Sequence, residues 1–207
     1  MGQHPDCIFT PDWFEIYNGG CVYTDGSDGC NENGSINLNG WKFSDSDYPV
    51  EDDQHAILNE DFTIQVGGYA IVVADDCDGD NLGPWFINNC PDHPGEQDGA
   101  TILPGMGIEV NSDLYSQPVI RVFFKLGGTD AIKIYNPLDE LVDEVTWSGH
   151  PCDSNESYAR RVDGGDQWEC RSGEDITFGT SNGYSGEVPI CQTGYLFGKE
   201  AMNTEYG

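Results

Sequence analysis

The sequence predicts an all-β protein, built as a β-sandwich or barrel, on the grounds of its composition and the spacing of its apolar runs. The chain has 207 residues, with 27 glycines but only nine leucines and seven alanines, so strong helix formers are scarce. Aromatic and β-branched residues, which favour sheets, are common. Short strand-like runs recur between turn residues and no segment is helically periodic over three turns, which favours a sandwich or barrel over alternating strands and helices.

Short runs rich in aromatic and β-branched residues are the expected strands. The first ends at Asn18-Gly19-Gly20, a sequence that suits a turn. The run from Tyr69 to Val73 is continuously apolar, as in a strand covered on both faces. The expected strands are 13–17, 36–38, 40–43, 62–66, 69–73, 119–124, 131–135, 141–147 and 157–162.

Two segments differ from this pattern. Residues 74–118 are acidic and then rich in proline and glycine turns, with 102–103 and 108–110 as short strand candidates. Residues 184–207 have the character of a tail, in which 195–197 are candidates for an edge strand. We therefore predict one all-β domain over 1–183, with a long loop insertion at about 74–118 and a tail or extra edge strand over 184–207.

The net charge limits the partners of this chain. Asp and Glu number 37 against 8 Lys and Arg, for a formal net charge of -29. A polyanionic partner is repelled by such a protein, which argues against nucleic-acid binding and against an anionic membrane surface. No apolar run reaches the roughly 18 residues that span a bilayer, so we expect no membrane insertion. A solvated surface, adaptation to high salt and binding of hard cations each explain the acidity.

The cysteines predict disulfides and an extracellular or cell-surface location. No two of the eight form a CxxC pair, so zinc ribbons and thioredoxin-like motifs find no support. An even number scattered in loops is typical of an oxidising compartment. Spacing does not determine connectivity. We expect near neighbours to pair, as Cys21–Cys30, Cys77–Cys90 and Cys152–Cys170, which leaves Cys7 and Cys191 to join the two ends of the chain.

The N-terminus and two sequons also bear on whether the protein is secreted. Residues 1–7 lack the charged and apolar regions of a signal peptide, and we interpret the chain as a mature form with a new start codon. The sequons Asn33-Gly34-Ser35 and Asn155-Glu156-Ser157 are compatible with secretion, although this pattern also arises by chance.

The order of several motifs resembles the lamin-tail domain, a family found in nuclear lamins and in many secreted bacterial proteins. The matching segments are DWFEIYN (12–18), INLNGWKFSD (36–45), GGYAIVVADD (67–76), DAIKIYNPLDELVDEVTW (130–147), SYAR (157–160) and TFGTSN (177–182). The resemblance implies an immunoglobulin-like β-sandwich. The chain departs from the family in its long 74–118 segment, its eight cysteines and Phe178, which stands where the family has proline.

Several residues of the matched segments have a clear structural interpretation. We expect Trp41 and Trp147 to be core aromatics, because each buries a large apolar area. Asn136-Pro137 predicts a turn that ends a strand. Arg160 has few basic neighbours among many acids, so we expect it to pair with a partly buried carboxylate.

The strongest candidate for cation binding is the acidic stretch 75–81. Calcium takes six to eight oxygen ligands, and Asp residues at alternate positions of a loop converge on one ion. Asn81 and Ile87 break the EF-hand pattern, which leaves a loop site or a simple solvated loop. The candidate calcium ligands here are Asp75, Asp76, Asp78 and Asp80.

Weaker candidates for calcium lie in the loop that contains Asp25 and Asp28, and in the run 51–53. Solvated turns use the same residue types. Dense like charges repel one another unless a cation or salt relieves them, which gives calcium a physical motive.

Catalytic signatures are few. The residues Gly179 to Gly183 match the G-x-S-x-G elbow, but that motif needs a strand before it and a helix after it. The histidines are isolated in polar stretches and lack metal-ligand spacing: His4, His55, His93 and His150. We therefore predict no enzymatic activity.

Trp13, Trp85 and Trp168 are candidates for exposed aromatics, because a Trp beside acids can stack on a sugar or fill the end of the sandwich. Trp85 and Phe86, inside the long insertion, are the pair we select for binding.

Four functions remain to be weighed. The first is a non-enzymatic extracellular structural or binding module, calcium-stabilised and acting at a cell surface, with other surface proteins or carbohydrate as partners. The second is a self-assembling subunit of an extracellular filament or surface layer, in which strand exchange or calcium joins the copies. A secreted hydrolase has less support, and a nuclear lamina role conflicts with the cysteines and the missing coiled-coil heptads.

Overall fold

The computed structural model is all-β, which confirms the predicted class. It describes residues 12–21, 25–45, 55–74, 99–103, 108–110, 113–115, 117–124, 126–153, 156–172, 177, 179–183 and 195–200, and within them no helix occurs. The strands are β1 (Asp12–Asn18), β2 (Ile36–Asn37), β3 (Lys42–Ser44), β4 (His55–Leu58), β5 (Thr63–Ile64), β6 (Tyr69–Ala74), β7 (Gly99–Leu103), β8 (Ile108–Val110), β9 (Asp113–Tyr115), β10 (Val119–Val122), β11 (Asp130–Tyr135), β12 (Leu141–Trp147), β13 (Glu156–Arg160), β14 (Trp168–Ser172) and β15 (Tyr195–Glu200).

Nine of these strands form one sheet in the order β12-β11-β3-β4-β7-β10-β6-β1-β15. Neighbouring strands are antiparallel, except that β10 runs parallel to β6 and β4 runs parallel to β7. The remaining strands pair as β13–β14, β2–β5 and β8–β9.

Strand β7 connects the two halves of the large sheet. Its first two residues pair with Ile57 and Leu58 of β4, whereas Thr101 to Leu103 pair with β10. The rings of Phe14 in β1 and Phe43 in β3 lie only 6.2 Å apart. Five strand spacings in a flat sheet would separate them by about 24 Å. The sheet is therefore curled, with its halves facing each other as in a β-sandwich.

The core fills the space between these halves. Phe14, Val72 and Ile120 belong to it from one half, and Phe43 and Ile134 from the other. Trp41 and Trp147 are also in this core, as predicted. Large apolar side chains supply most of the favourable free energy of folding, so this cluster stabilises the curl.

The strands β1 and β6 are buried on both faces. Trp13 and Glu15 of β1 are 1% and 2% exposed, although they point away from Phe14. Ile71 and Val73 of β6 are also buried outside the main core cluster. This confirms the interpretation of the continuously apolar run, and it removes Trp13 from the candidate exposed aromatics.

The C-terminal strand β15 pairs antiparallel with β1, from Trp13 opposite Glu200 to Asn18 opposite Tyr195. The candidate edge strand at 195–197 is thus part of a longer strand. Within the predicted insertion, β7 occupies a central position in the large sheet. Among the described residues we find no helix long and apolar enough to cross a membrane.

Candidate functional site

The loop that contains Asp25 and Asp28 is a series of turns stabilised by side chains. Asp25 Oδ1 accepts hydrogen bonds from Ser27 N at 2.9 Å and from Ser27 Oγ at 2.5 Å. Asp28 Oδ1 accepts one from Cys30 N at 3.0 Å. The Ser27 hydroxyl and then its backbone amide hold the pKa of Asp25 below its ordinary value. Each carboxylate therefore has a structural role in a turn.

Among the described residues, neither of these aspartates belongs to a group of three potential metal ligands. Within the described part of the chain, one such group has its ligand atoms within 4.8 Å of one another: Cys152, Glu156 and Cys170. The two sulfurs are bonded to each other as a disulfide, so they are not the thiolates that a metal binds. The donor set consequently does not fit calcium, which takes oxygen ligands.

Two of the expected cysteine pairs lie at disulfide distance. Cys21 and Cys30 have an S–S distance of 2.08 Å and are nine residues apart in sequence. Cys152 and Cys170 have an S–S distance of 2.02 Å and are 18 residues apart. The expected pairs Cys77–Cys90 and Cys7–Cys191 lie outside the described residues.

The two disulfides lie at opposite ends of β1. Cys21 follows Asn18, at the C-terminal end of this strand, whereas Asp12 at its N-terminal end lines a cleft together with Cys152. Seven residues of strand span about 23 Å. Each bridge therefore constrains a different end of the scaffold.

The cleft beside Cys152 is small. Its walls include Asp12, Trp147, His150, Glu156 and Tyr158. The indole N–H of Trp147 donates to the Gly127 carbonyl at 2.8 Å, so it is engaged within the wall. The cavity volume is about 20 Å³, enough for a water molecule, whereas small-molecule sites typically have volumes of about 300–1,000 Å³.

Buried and half-buried carboxylates hold the loop 179–183 against the sheet. Glu15 Oε2 accepts a hydrogen bond from Gly179 N at 2.6 Å, across 164 residues of sequence. Asp163 Oδ2 accepts from Tyr69 OH at 2.8 Å and from Ser181 Oγ at 2.6 Å. Burial raises the pKa of Tyr69 well above its ordinary value, and the Asp163 carboxylate raises it further. Ser181 thus has a loop-anchoring hydrogen bond in the described structure.

Arginines complete this polar network. Arg160 Nη2 lies 3.1 Å from Asp143 Oδ2, which confirms the expected carboxylate partner. The guanidinium carbon of Arg160 is 4.7 Å from the Trp168 ring centroid, and burial lowers the pKa of Arg160 against the opposing effect of Asp143. Arg171 donates to Asn182 Oδ1 and to the carbonyl oxygens of Asn182 and Arg161, all at 2.9–3.1 Å.

Sequence reasoning missed the partners Glu15, Asp163 and Arg171. The signal for Glu15 was present, since a carboxylate between Phe14 and Ile16 in an otherwise apolar run needs a hydrogen-bond donor. The scarcity of cations, which predicted a partner for Arg160, applies equally to Arg171. Asp163 stands in a polar turn among other acids, and nothing local distinguishes it.

Of the other sequence candidates, Trp168 is half-buried and stacks on Tyr158 with ring centroids 5.0 Å apart. His55 begins strand β4 rather than lying in a loop, and His150 is exposed. The candidate calcium ligands Asp75, Asp76, Asp78 and Asp80, and the candidate binding pair Trp85 and Phe86, lie outside the described residues.

Comparison with protein-family models, with curated proteins and with solved structures finds no match to this chain. Its function is therefore inferred from its residues and their geometry.

Proposed function

We propose that this chain is a non-enzymatic extracellular module, a structural or binding domain that acts at a cell surface. The observation that carries the proposal is the pair of disulfides, which lie near the two ends of strand β1. Disulfides persist in oxidising compartments, where they stabilise loop-rich domains. The lamin-tail resemblance and the curled sheet together support an immunoglobulin-like sandwich as the finer architecture.

The use of polar groups supports a module rather than an enzyme. Glu15, Asp143 and Asp163 each accept hydrogen bonds that hold one part of the fold to another. The cleft beside Cys152 has room for little more than water. A catalytic site instead needs a substrate-sized cavity with groups available for chemistry.

The location is tested by labelling intact cells with a membrane-impermeant reagent that reacts with amines. The peptides of the labelled protein are then mapped without reduction. We expect labelled protein that yields linked peptides for Cys21–Cys30 and for Cys152–Cys170. A cytosolic protein of the same cells is the control and stays unlabelled. Unlabelled protein with free thiols at these four positions would contradict the proposal.

Calcium stabilisation is the second part of the proposal, and it rests on the acidic stretch 75–81. The test variant replaces Asp76, Asp78 and Asp80 by Asn. The matched control replaces Asp25 and Asp28 by Asn, which keeps the side-chain oxygens that accept hydrogen bonds in the turns. We expect millimolar calcium to raise the unfolding temperature of the native chain and of the control, but not of the triple variant. An equal rise with magnesium or sodium at matched ionic strength means charge screening and refutes the site.

The edge position of β15 favours a second candidate, a self-assembling subunit. This strand is the last element of the sheet and pairs only with β1 among the described strands of that sheet. Eleven residues separate it from Gly183, and such a segment can span about 36 Å when extended. The same strand can pair instead with β1 of a neighbouring copy and so join the two copies.

Light scattering of the oxidised protein, first in chelator and then in millimolar calcium, separates the two candidates. Large particles that dissolve on chelation, and that a chain lacking 184–207 does not form, support assembly. A constant monomer mass in both solutions supports the module.

A further inference from the structure

The sequon Asn33-Gly34-Ser35 lies in a tight turn on the surface, directly after the Cys21–Cys30 bridge. Gly34 N donates to the Asn31 carbonyl at 2.9 Å, and Asn31 N donates to the Ser35 carbonyl at 2.8 Å. Gly34 has φ +77°, and a Cβ there would lie 3.0 Å from a methyl carbon of Val66. Glycine adopts this conformation without strain. The two backbone hydrogen bonds then hold Asn33 and Ser35 in a defined orientation.

The side chain of Asn33 has its two ends in different environments. Its Oδ1 accepts hydrogen bonds from Ser35 N at 3.1 Å and from Ser35 Oγ at 2.7 Å. Ser35 is 3% exposed, whereas Asn33 is exposed. The carbonyl oxygen therefore faces the buried serine, and no described residue accepts a hydrogen bond from Asn33 Nδ2. The amide nitrogen is the end that is left to solvent.

We propose that Asn33 is an acceptor of an N-linked glycan in the exported protein. This inference rests on the extracellular location proposed above, since a sequon is modified on the secretory route that leads there. The structure adds that the amide nitrogen of Asn33 is on the exposed side of the turn. A glycan attached to this nitrogen leaves the hydrogen bonds of Asn33 Oδ1 to Ser35 in place.

The reaction is a saccharide transfer from a lipid-linked donor. Asn33 Nδ2 forms a bond to the anomeric carbon of the sugar, and the bond from that carbon to the phosphate oxygen of the lipid carrier breaks. The amide nitrogen loses one proton to water, and the lipid phosphate leaves with the bonding electrons. No oxidant or reductant is needed, and Asn33 Oδ1 keeps its hydrogen bonds to Ser35.

The neighbourhood of Asn33 accommodates a bulky polar group. Asn31 and Glu32 beside it are exposed as well, so a glycan projects into water from this turn. The second sequon, Asn155-Glu156-Ser157, provides a natural comparison: Ser157 is buried in β13, as Ser35 is buried in the turn, and Asn155 lies outside the described residues.

The test is export of the full chain, expressed behind an added secretion signal, from cells that contain an N-glycosylation pathway, followed by peptide mapping. The glycan is removed with peptide N-glycosidase in heavy-oxygen water, which labels the converted position and distinguishes it from spontaneous deamidation of the Asn-Gly pair. Asn33→Asp is the main variant, because it keeps a side-chain oxygen for Ser35 and removes the acceptor nitrogen. Asn155→Gln is the matched control.

We expect the native chain and Asn155→Gln to migrate more slowly than the deglycosylated protein and to carry the heavy label at position 33. In Asn33→Asp this mobility shift should be lost while the unfolding temperature stays unchanged. Exported protein with a formed Cys21–Cys30 bridge but no label at position 33 overturns the acceptor site and leaves the extracellular module standing. Reduced, unexported and unlabelled protein overturns both.

Discussion

At the scale of single residues, Arg160 illustrates how this chain uses its eight cationic side chains. Its guanidinium contacts Asp143, stacks on Trp168 and donates to the Gly165 carbonyl. A planar guanidinium makes these contacts together, whereas an ammonium group is a single compact charge. The fork of Arg160 thus joins three separate elements of the fold.

We predict that Arg160→Lys lowers the free energy of unfolding by about 2 kcal/mol, because a lysine ammonium group cannot contact Asp143, the Gly165 carbonyl and the Trp168 ring together. Arg161→Lys is the matched control, since Arg161 is exposed and lies 4.0 Å from Glu169, its ion-pair partner among the described residues. Chemical denaturation measures both variants. Equal losses in the two would contradict the special role of Arg160.

A second prediction at this scale concerns Asp61. Its Oδ1 accepts hydrogen bonds from Asn37 Nδ2 at 2.9 Å and Asn39 Nδ2 at 3.0 Å, and these amides hold the pKa of Asp61 below its ordinary value. A lowered folded-state pKa stabilises the protein above the unfolded pKa, and this contribution disappears as the pH falls through the folded pKa. We expect Asn39→Ala to raise the pKa of Asp61 toward its ordinary value.

A carbon-detected NMR titration of the carboxyl group measures this shift. The pKa of Asp25, which Ser27 holds low, serves as the internal control and should not change. In Asn39→Ala the loss of stability below about pH 4 should be shallower than in the native chain. An unchanged pKa for Asp61 would contradict the role of Asn39.

At the scale of elements, the loop between β1 and β2 and the turn between β5 and β6 depend on glycines for two different reasons. Gly29 and Gly67 both have positive φ, +87° and +76°. A Cβ at Gly29 would also collide with the Asn37 carbonyl oxygen and lie 2.9 Å from Trp41 Nε1, whereas nothing lies within 4 Å at Gly67. The backbone strain is shared by both positions, but the steric clash occurs only at Gly29.

We therefore predict that Gly67→Ala costs about 1 kcal/mol and that Gly29→Ala costs about 3 kcal/mol or more. Thermal and urea unfolding measure both. Costs of equal size would mean that the loop moves to accommodate the methyl group, which would contradict its tight packing against Trp41.

The two described disulfides should differ in their ease of reduction. Cys30 is 1% exposed, whereas Cys170 is exposed. Because exchange requires access to a sulfur, a limiting amount of reductant should open Cys152–Cys170 before Cys21–Cys30. Alkylation and mass spectrometry follow the order, and the reverse order would contradict it. Loss of either bridge is expected to cost about 3 kcal/mol on the loop-entropy model.

At the scale of the whole molecule, the net charge of -29 dominates the response to salt. Like charges over the surface repel one another and destabilise the compact state. Screening shortens their reach from about 30 Å at 0.01 M salt to about 3 Å at 1 M. We predict that the unfolding temperature rises with sodium chloride, and that most of the rise occurs below about 0.2 M.

Thermal unfolding followed by circular dichroism at a series of salt concentrations measures this effect. A rise that occurs only near molar salt would reflect general exclusion of salt from the surface instead. A flat or falling curve would mean that the charges are already neutralised by bound cations.

The sequence by itself predicted the all-β class and most of the strands, and the expectation that near neighbours pair agrees with the two described disulfides. The alternation of apolar and polar residues and the turn residues between strands are local features of the sequence. Strands such as Leu141–Trp147 can therefore be predicted from the sequence alone. Short strands were missed where this signal is weak: β4 has four residues without clear alternation, and β9 and β14 follow acidic or polar stretches.

The tertiary structure alone decided what covers each face and which distant groups meet. Trp13 was a candidate for exposure but is buried, because strand periodicity assigns a side chain to a face and does not show what packs on that face. Glu15 meets Gly179 across 164 residues, and β15 joins the sheet next to β1. Such contacts depend on how the sheet curls, and that is a collective result of burying one core between its halves.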